Sequence, residues 1–330
     1  MDTDSAPSLI ARAHAKINLD LRVHRHRADG YHELSTVFQS LALNDEIIVC
    51  ASQGKFTLAC DVPDIPADAT NLVWRAAVRL AAALDRSLDG LAITLRKRVP
   101  AEAGLGGGSA DAAATLRLLA ARWNLEPDAP VLTRVAGELG ADVPFFLVGG
   151  TALGTGRGDC IQPLVDLPQH QVLVVLPPFR VSTREAYVWF DGAQPHGRVR
   201  RVVQARDEAP DWRDVASSTA TTLAWQTLLP QVRSDLEPVV TARHPEIGTA
   251  VGALRAAGAG VAIMSGSGSA VVGLFRTKAD VEHAVRAVET IIDRDGWRLL
   301  QTRTIDRETY RRSLSPRPVS LERGPLAGLP

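Results

Sequence analysis

The sequence predicts an α+β protein of two domains with a cleft between them. Three observations carry that expectation. The chain has 330 residues, 45% of them hydrophobic, enough at roughly 150 residues per domain for two separate cores. Its N-terminal part runs from strands into helices. Its C-terminal part holds one apolar strand, then helices, then a closing β-β-α-β order like a split βαβ sandwich. The expected boundaries are residues 1–160 and 161–310, with the last strand a candidate for returning to the first domain. The Pro- and Arg-rich segment 311–330 is expected to be a disordered tail.

The elements follow in order. Leu9, Ala11, Ala13, Ala15, Ile17, Leu19, Leu21 and Val23 share one parity, and Arg12, His14, Lys16, Asn18, Asp20 and Arg22 the other, the pattern of a half-buried strand. Such a length calls for a bend or bulge. Lys16 and Asn18 then point the same way. Residues 34–50 and 55–60 read as strands, and Asn71 to Arg86 as a helix with Leu72, Ala76, Leu80 and Leu84 on one face. In the strand from Leu91 to Val99, Lys97 falls where an apolar residue belongs. A cation there wants an anion, unless the strand frays and the side chain snorkels to water. Ser109 reads as the N-cap of an alanine-rich helix to Trp123, and Pro130 to Leu139 as another helix. Val172–Leu176, Val261–Met264, Ala270–Val272 and Trp297–Thr304 read as strands, and Asp235–Ala242, Pro245–Ala257 and Ala279–Asp293 as helices. The polar stretch 191–222 reads as loop with one short helix.

Composition removes several classes. Thirty-seven basic and thirty-seven acidic residues leave no net field to gather a nucleic acid. No run approaches the eighteen apolar residues of a membrane span. The start, Met1-Asp2-Thr3-Asp4, does not read as a signal peptide. Cys50, Cys60 and Cys160 are odd in number and widely spaced, so free thiols and a cytoplasmic location are expected. His24, His26 and His32 form a local group, yet Arg22, Arg25 and Arg27 beside them argue against a bound cation and for a solvated strand end.

The sharpest chemical signal is Gly104-Leu105-Gly106-Gly107-Gly108-Ser109 running straight into a helix. Closely spaced glycines let backbone N–H groups approach an anion, and the helix start adds positive potential. No Lys-Ser or Lys-Thr follows, so it is not a Walker loop, and it fits a dinucleotide fingerprint poorly. A flexible linker is the bland alternative, but a tightly packing helix follows. Ser265-Gly266-Ser267-Gly268-Ser269 is a second loop of small residues, weaker evidence alone because hairpin turns use the same residues. Phosphoryl transfer needs a carboxylate to take a hydroxyl proton and a cation to stabilise developing charge. Asp142, after Gly140 and before Pro144 and two phenylalanines, and Lys16 are the candidates. A turn aspartate and a solvated lysine are the bland alternatives.

Taken together, Ala15-Lys16-Ile17-Asn18-Leu19, Pro100 to Ala113, and Ser265-Gly266-Ser267-Gly268 resemble the three motifs of the GHMP kinases, from about Ala13 to Leu274. The resemblance implies an N-terminal domain like ribosomal protein S5 domain 2, a C-terminal ferredoxin-like domain, and a site in the cleft between them. Arg27-Ala28-Asp29-Gly30-Tyr31-His32 and Leu139-Gly140-Ala141-Asp142-Val143-Pro144 are similar to the branch that phosphorylates a cytidine diphosphate alcohol with ATP. It then implies Asp142 as base and Lys16 as its partner. ATP would lie on Asn71, Leu72, Lys97, Pro100, Ala101, Glu102, Ala103, Gly104, Leu105, Gly106, Gly107, Gly108, Ser109 and Ala110. Asn18, Tyr31, His32, Tyr187, Gly266 and Ser267, with Asp142, would hold the alcohol. Mg2+ is implied by the chemistry, with Ser109 as the one side chain on offer. Partners are these small molecules, not nucleic acid or membrane, in a monomer or homodimer. Glu102 departs from the pattern, standing where many members have glycine. A mevalonate- or homoserine-type kinase, or a non-catalytic sensor of the same fold, are the readings left beside this one.

Overall fold

The opening alternation becomes β1, Ser8–His26, which hairpins into β2, His32–Ala51. A computed structural model describes residues 7–193, 212, 221–292 and 295–319. At about 3.3 Å per residue β1 would exceed most domains if straight. Register shifts between His14 and Lys16, Asn18 and Asp20, and Val23 and His26 supply the expected bends. One half of β2 pairs with β4, Leu91–Arg96, and the other with β5, Thr151–Gly156. β3, Thr57–Cys60, runs parallel to β4, and β6, Cys160–Pro163, extends β5, so the first domain reaches past residue 160.

Helices α1, Leu72–Ala83, α2, Gly107–Arg122, α3, Pro130–Leu139, and α4, Val143–Val148, share one core with this sheet. The alanines of α2 explain its place. Ala110, Ala112, Ala113, Ala114 and Ala120 are all buried, so neighbours approach its backbone from several sides. The short α4 has no counterpart in the sequence reading.

The second domain comprises β7, Gln171–Leu176, then α5, Thr183–Gly192, α6, Thr221–Leu228, α7, Glu237–Thr241, and α8, Pro245–Ala256. It closes with β8, Val261–Met264, β9, Val271–Phe275, α9, Lys278–Ile291, and β10, Arg298–Arg303. Its antiparallel sheet has the order β10-β7-β9-β8, that of a split βαβ sandwich. The parity of β7 divides the core. Leu173 and Val175 join the cluster containing α8 and α9, while Val172, Val174 and Leu176 join Ala15, Ile17 and Leu19 of β1. That apolar seam binds the two domains together.

Three expectations change. The polar face of β1 is not solvated: His14, Lys16, Asn18, Asp20 and Arg22 are all buried, because the second domain and the C-terminal segment cover it. The presumed tail is ordered as far as Val319. Helix α10, Arg307–Leu314, buries Tyr310 and Leu314, the Tyr310 hydroxyl donates to the Phe146 carbonyl at 2.6 Å, and β11, Arg317–Val319, pairs with β1. Charged residues around those two anchors hid them. It is this segment that returns to the first domain, β10 staying in the second sheet. Residues 320–330 and most of 191–222 lie outside the described residues. Within the latter, Asp191 belongs to α5, and Trp212 is buried against Trp225 with its indole N–H 3.3 Å from Asp20 Oδ2. Among the described residues no helix is long and apolar enough to cross a membrane.

Candidate active site

The glycine-rich segment enters α2 earlier than expected. Gly106, at φ +70°, occupies the N-cap position, and Ser109 sits in the first turn instead of capping it. A Cβ on Gly106 would lie 2.7 Å from the Phe146 ring, so a side chain is excluded on two counts. The first intrahelical bond runs from the Ala110 amide to the Gly106 carbonyl at 2.9 Å. The amides of Gly107, Gly108 and Ser109 precede it and are left for an anion.

Lys16 and Asp142 converge beside this turn. The Lys16 ammonium lies 3.2 Å from Asp142 Oδ2 and donates to Asn18 Oδ1 at 2.5 Å. Asn18 is itself fixed, its Nδ2 donating to the Thr36 hydroxyl at 2.7 Å, which donates to the Asp20 carbonyl at 2.7 Å. Lys16 is buried and Asp142 is 35% exposed. A solvated lysine is thus excluded, while the shielding expected around Asp142 is only partial, its flanking phenylalanines turning into the core. Asp142 stands at the N-terminus of α4 without capping it. Its carboxylate faces lysine and cleft.

The second small-residue loop closes the site from the other domain. The Asn18 amide donates to Ser265 Oγ at 3.2 Å, the Ser265 hydroxyl donates to the Gly104 carbonyl at 3.2 Å, and the Ala270 amide donates to the Ala103 carbonyl at 3.2 Å. A Cβ on Gly104 would fall 2.5 Å from the Ser265 carbonyl oxygen. The two loops touch backbone to backbone, which only glycine permits.

β4 stops at Arg96, short of the expected Val99, yet the Lys97 side chain neither reaches for water nor offers a free ammonium. Its Nζ lies 2.5 Å from Asp45 and 2.8 Å from Asp111, both buried. Burial disfavours the Lys97 charge, and the two carboxylates outweigh it and hold the pKa above the ordinary lysine range. Asp111 is raised well above the usual carboxylate range by burial, Lys97 opposing the shift and Asp45 adding to it. The anion the sequence called for is thus internal. Asp45 also receives the amides of Arg98 and Val99, at 2.5 and 2.8 Å, and so pins the strand leading to the glycine turn.

Glu102 keeps the conformation a glycine would have. Its φ is +55°, and its carboxylate accepts from Arg180 of the second domain at 2.7 Å. Asn71 caps α1, its Oδ1 accepting from the Val73 amide at 2.8 Å and its Nδ2 donating to the Pro66 carbonyl at 2.6 Å. At the far end, His32 stacks on Tyr187 with centroids 5.2 Å apart, and Arg157 lies over the exposed Tyr31 ring at 5.3 Å. Burial, aided by Asp142, pushes the Tyr187 phenol up, so it stays protonated.

Lys16, Asp142, the glycine turn, Gly266 and Ser267 of the second loop, and the aromatic cluster line one cleft of about 1110 Å³. Of the candidate residues only Leu105 and Ala110 do not line it; both are buried, and the Leu105 carbonyl instead accepts the Lys16 amide at 2.9 Å. Sequence reasoning missed Asp45, Asp111, Thr36, Arg180 and Asp191. For Asp111 a signal existed: it stands one helical turn into α2, beneath the lysine whose partner was missing.

Residues 71–150 match the family model of the GHMP kinases N terminal domain, and residues 221–292 that of the GHMP kinases C terminal. The chain is 39% identical over 306 residues to the 4-diphosphocytidyl-2-C-methyl-D-erythritol kinase of Solibacter usitatus (strain Ellin6076), covering 92% of each protein. The chain belongs to the 4-diphosphocytidyl-2-C-methyl-D-erythritol kinase family. A second member, from Pelotomaculum thermopropionicum, is 40% identical over 90% of this chain and 98% of its own. A crystal structure of 4-(cytidine 5'-diphospho)-2C-methyl-D-erythritol kinase superposes with a TM-score of 0.69 at 33% identity, over 89% of this chain and 98% of that one. Homoserine kinase from Cytophaga hutchinsonii shares the fold with a TM-score of 0.69 at 20% identity. As a member of a kinase family the chain is an enzyme acting on a small molecule with ATP.

Proposed function

We propose that this chain transfers the γ-phosphoryl group of ATP to the 2-hydroxyl of 4-diphosphocytidyl-2-C-methyl-D-erythritol, giving the 2-phosphate and ADP in the non-mevalonate route to isoprenoid precursors. The observation that carries the reading is the pairing of Lys16 with Asp142 at 3.2 Å beside the amides that open α2. The amides of Gly107, Gly108 and Ser109 take the triphosphate. Asp142 accepts the proton of the alcohol as its oxygen attacks the terminal phosphorus. Lys16, held by Asn18, pairs with the carboxylate and stabilises the negative charge spreading over the transferred group. Tyr31, His32 and Tyr187 hold the cytosine ring, one face by stacking and its edge by hydrogen bonding.

Mg2+ belongs to the same proposal. The donor set suits it: the Ser109 hydroxyl faces the cleft without a hydrogen-bond partner among the described residues, and phosphate oxygens complete the hard-oxygen shell that this ion prefers. When bound, the ion neutralises charge on the β- and γ-phosphates. The three free thiols suit a reaction in the reducing cytoplasm.

Two measurements test the reading. Asp142→Ala should cost several orders of magnitude in kcat while ATP binding by calorimetry persists; a variant that keeps its turnover removes Asp142 from the chemistry. ADP release with the cytidine diphosphate alcohol should exceed that with mevalonate, homoserine or galactose. Activity confined to one of the latter three would overturn the substrate.

A further inference from the structure

The geometry points to a binding site for a late transition-metal dication, with zinc the best match, built by His26, His32 and Asp191 at the outer end of the cleft. The two histidines are the cross-strand pair that closes the β1–β2 hairpin, and their rings lie 4.0 Å apart. The loop between them is tied by the Arg27 amide to the Tyr31 carbonyl at 2.7 Å, so the rings stand on a constrained turn. Asp191 reaches them from the last turn of α5, in the other domain. Both Nε2 atoms converge on the same oxygen, His26 at 3.1 Å and His32 at 2.9 Å from Asp191 Oδ1, and all three donor atoms lie within 4.8 Å of one another.

Two imidazoles and a carboxylate form a donor set that zinc uses with a fourth position left to water. Zinc–ligand bonds of about 2.0–2.1 Å in a tetrahedron put donor atoms about 3.3 Å apart, so the two nitrogen–oxygen separations need open by only a few tenths of an ångström, and the two nitrogens, within 4.8 Å of each other, adjust by a turn of the exposed His26 ring. Neutral histidine needs no proton loss to bind there; a shift of the ring proton to Nδ1 bares Nε2. His26 and Asp191 are partly exposed, which gives the ion a route in. Neighbouring arginines argued against a cation in the sequence. In the fold Arg22 is held by Asp20 at 3.0 Å and Arg27 by Asp29 and Glu33, at 3.1 and 2.8 Å, so the charge of these two is answered locally, while Arg25 is exposed to the screening of solvent. Nitrogen donors also separate this site from that of Mg2+, which stays with oxygen.

The consequence for catalysis rests on the substrate reading above. His32 and Asp191 line the cleft and His32 stacks on Tyr187, so an ion here occupies His32, one of the groups assigned to cytosine, and competes with the alcohol, not with ATP.

Calorimetric titration of the nucleotide-free chain with zinc chloride tests the site. One equivalent should bind, and His26→Asn and Asp191→Asn should each weaken it at least tenfold, with melting temperatures confirming that both fold. Cobalt(II) should give tetrahedral visible bands that vanish in the same two variants. Absence of a stoichiometric site, or affinity unchanged in both variants, overturns the inference. In steady-state assays with excess Mg–ATP, zinc should raise the KM for the alcohol in the wild type and not in His26→Asn. Zinc that binds through His26 without competing would leave the metal site standing and remove His32 from the cytosine pocket.

Discussion

Replacing Lys97 by methionine separates an internal counterion from a nucleotide ligand. The lysine ammonium lies 2.5 Å from Asp45 and 2.8 Å from Asp111. At an effective dielectric of about 20 each contact is worth roughly 6 kcal/mol of Coulomb attraction before desolvation is counted. Desolvation cancels much of that, and removing one partner of a buried pair costs about 3–5 kcal/mol, because the remaining charge is stranded. Here Asp111 offers a relief: burial already holds it well above the usual carboxylate range, so without Lys97 it takes a proton more readily than an ordinary carboxylate. The expected loss is therefore at the lower end, about 3 kcal/mol at pH 7. A carboxyl with a raised folded pKa gives stability that is complete below its unfolded value and lost as pH rises through the folded one. Lys97→Met should accordingly recover stability as the pH is lowered from 8 to 5. Urea denaturation followed by circular dichroism across that range, beside the KM for ATP, reads both quantities. A variant within about 0.5 kcal/mol of wild type whose KM for ATP rises more than tenfold would show that the ammonium leaves its carboxylates for the nucleotide, and the argument would be wrong.

Two further perturbations probe the turn and the C-terminal segment. Glu102→Gly frees a residue held at φ +55°, a strain of about 1–2 kcal/mol, and gives up an exposed Arg180 pair worth under about 1 kcal/mol and some unfolded-state entropy. Stability should change little, while the KM for ATP falls several-fold as a carboxylate leaves the phosphate site; a rise would mean that the Arg180 contact organises the loop. Burial lowers the His14 pKa from 6.5 to about 4, with its Nδ1 donating to the Leu41 carbonyl at 2.8 Å and its Nε2 at 2.7 Å from Ser313 of α10. The unfolded chain takes the proton first, so the contribution is complete above pH 6.5 and shrinks toward pH 4, by about 3 kcal/mol in all. His14→Gln should flatten the acid limb of a stability–pH curve relative to wild type, and identical limbs would remove His14 as its source.

What the sequence disclosed, and what it hid, follows from how far apart the interacting groups lie along the chain. Gly104 to Ser109 were legible because backbone conformation is a local property, and Gly106 at φ +70° needs glycine whatever surrounds it. Lys16 and Asn18 were legible as a pair because strand parity fixes their common face. Their burial was not, since the elements that cover β1 come from the second domain and the C-terminal segment. Lys97 shows the boundary most clearly. Its wrong parity announced a missing anion, but one partner lies 52 positions away in β2 and the other 14 positions on, in α2. Only folding brings them together. The histidine pair fails in the same way: its arginine neighbours were visible, the acids that neutralise Arg22 and Arg27 were visible too, yet Asp191, 165 positions from His26, was not connected to either. At Lys97 the cation was read correctly as a charge needing an answer. The sheet and the inter-domain seam decide whether that answer is a substrate or another side chain.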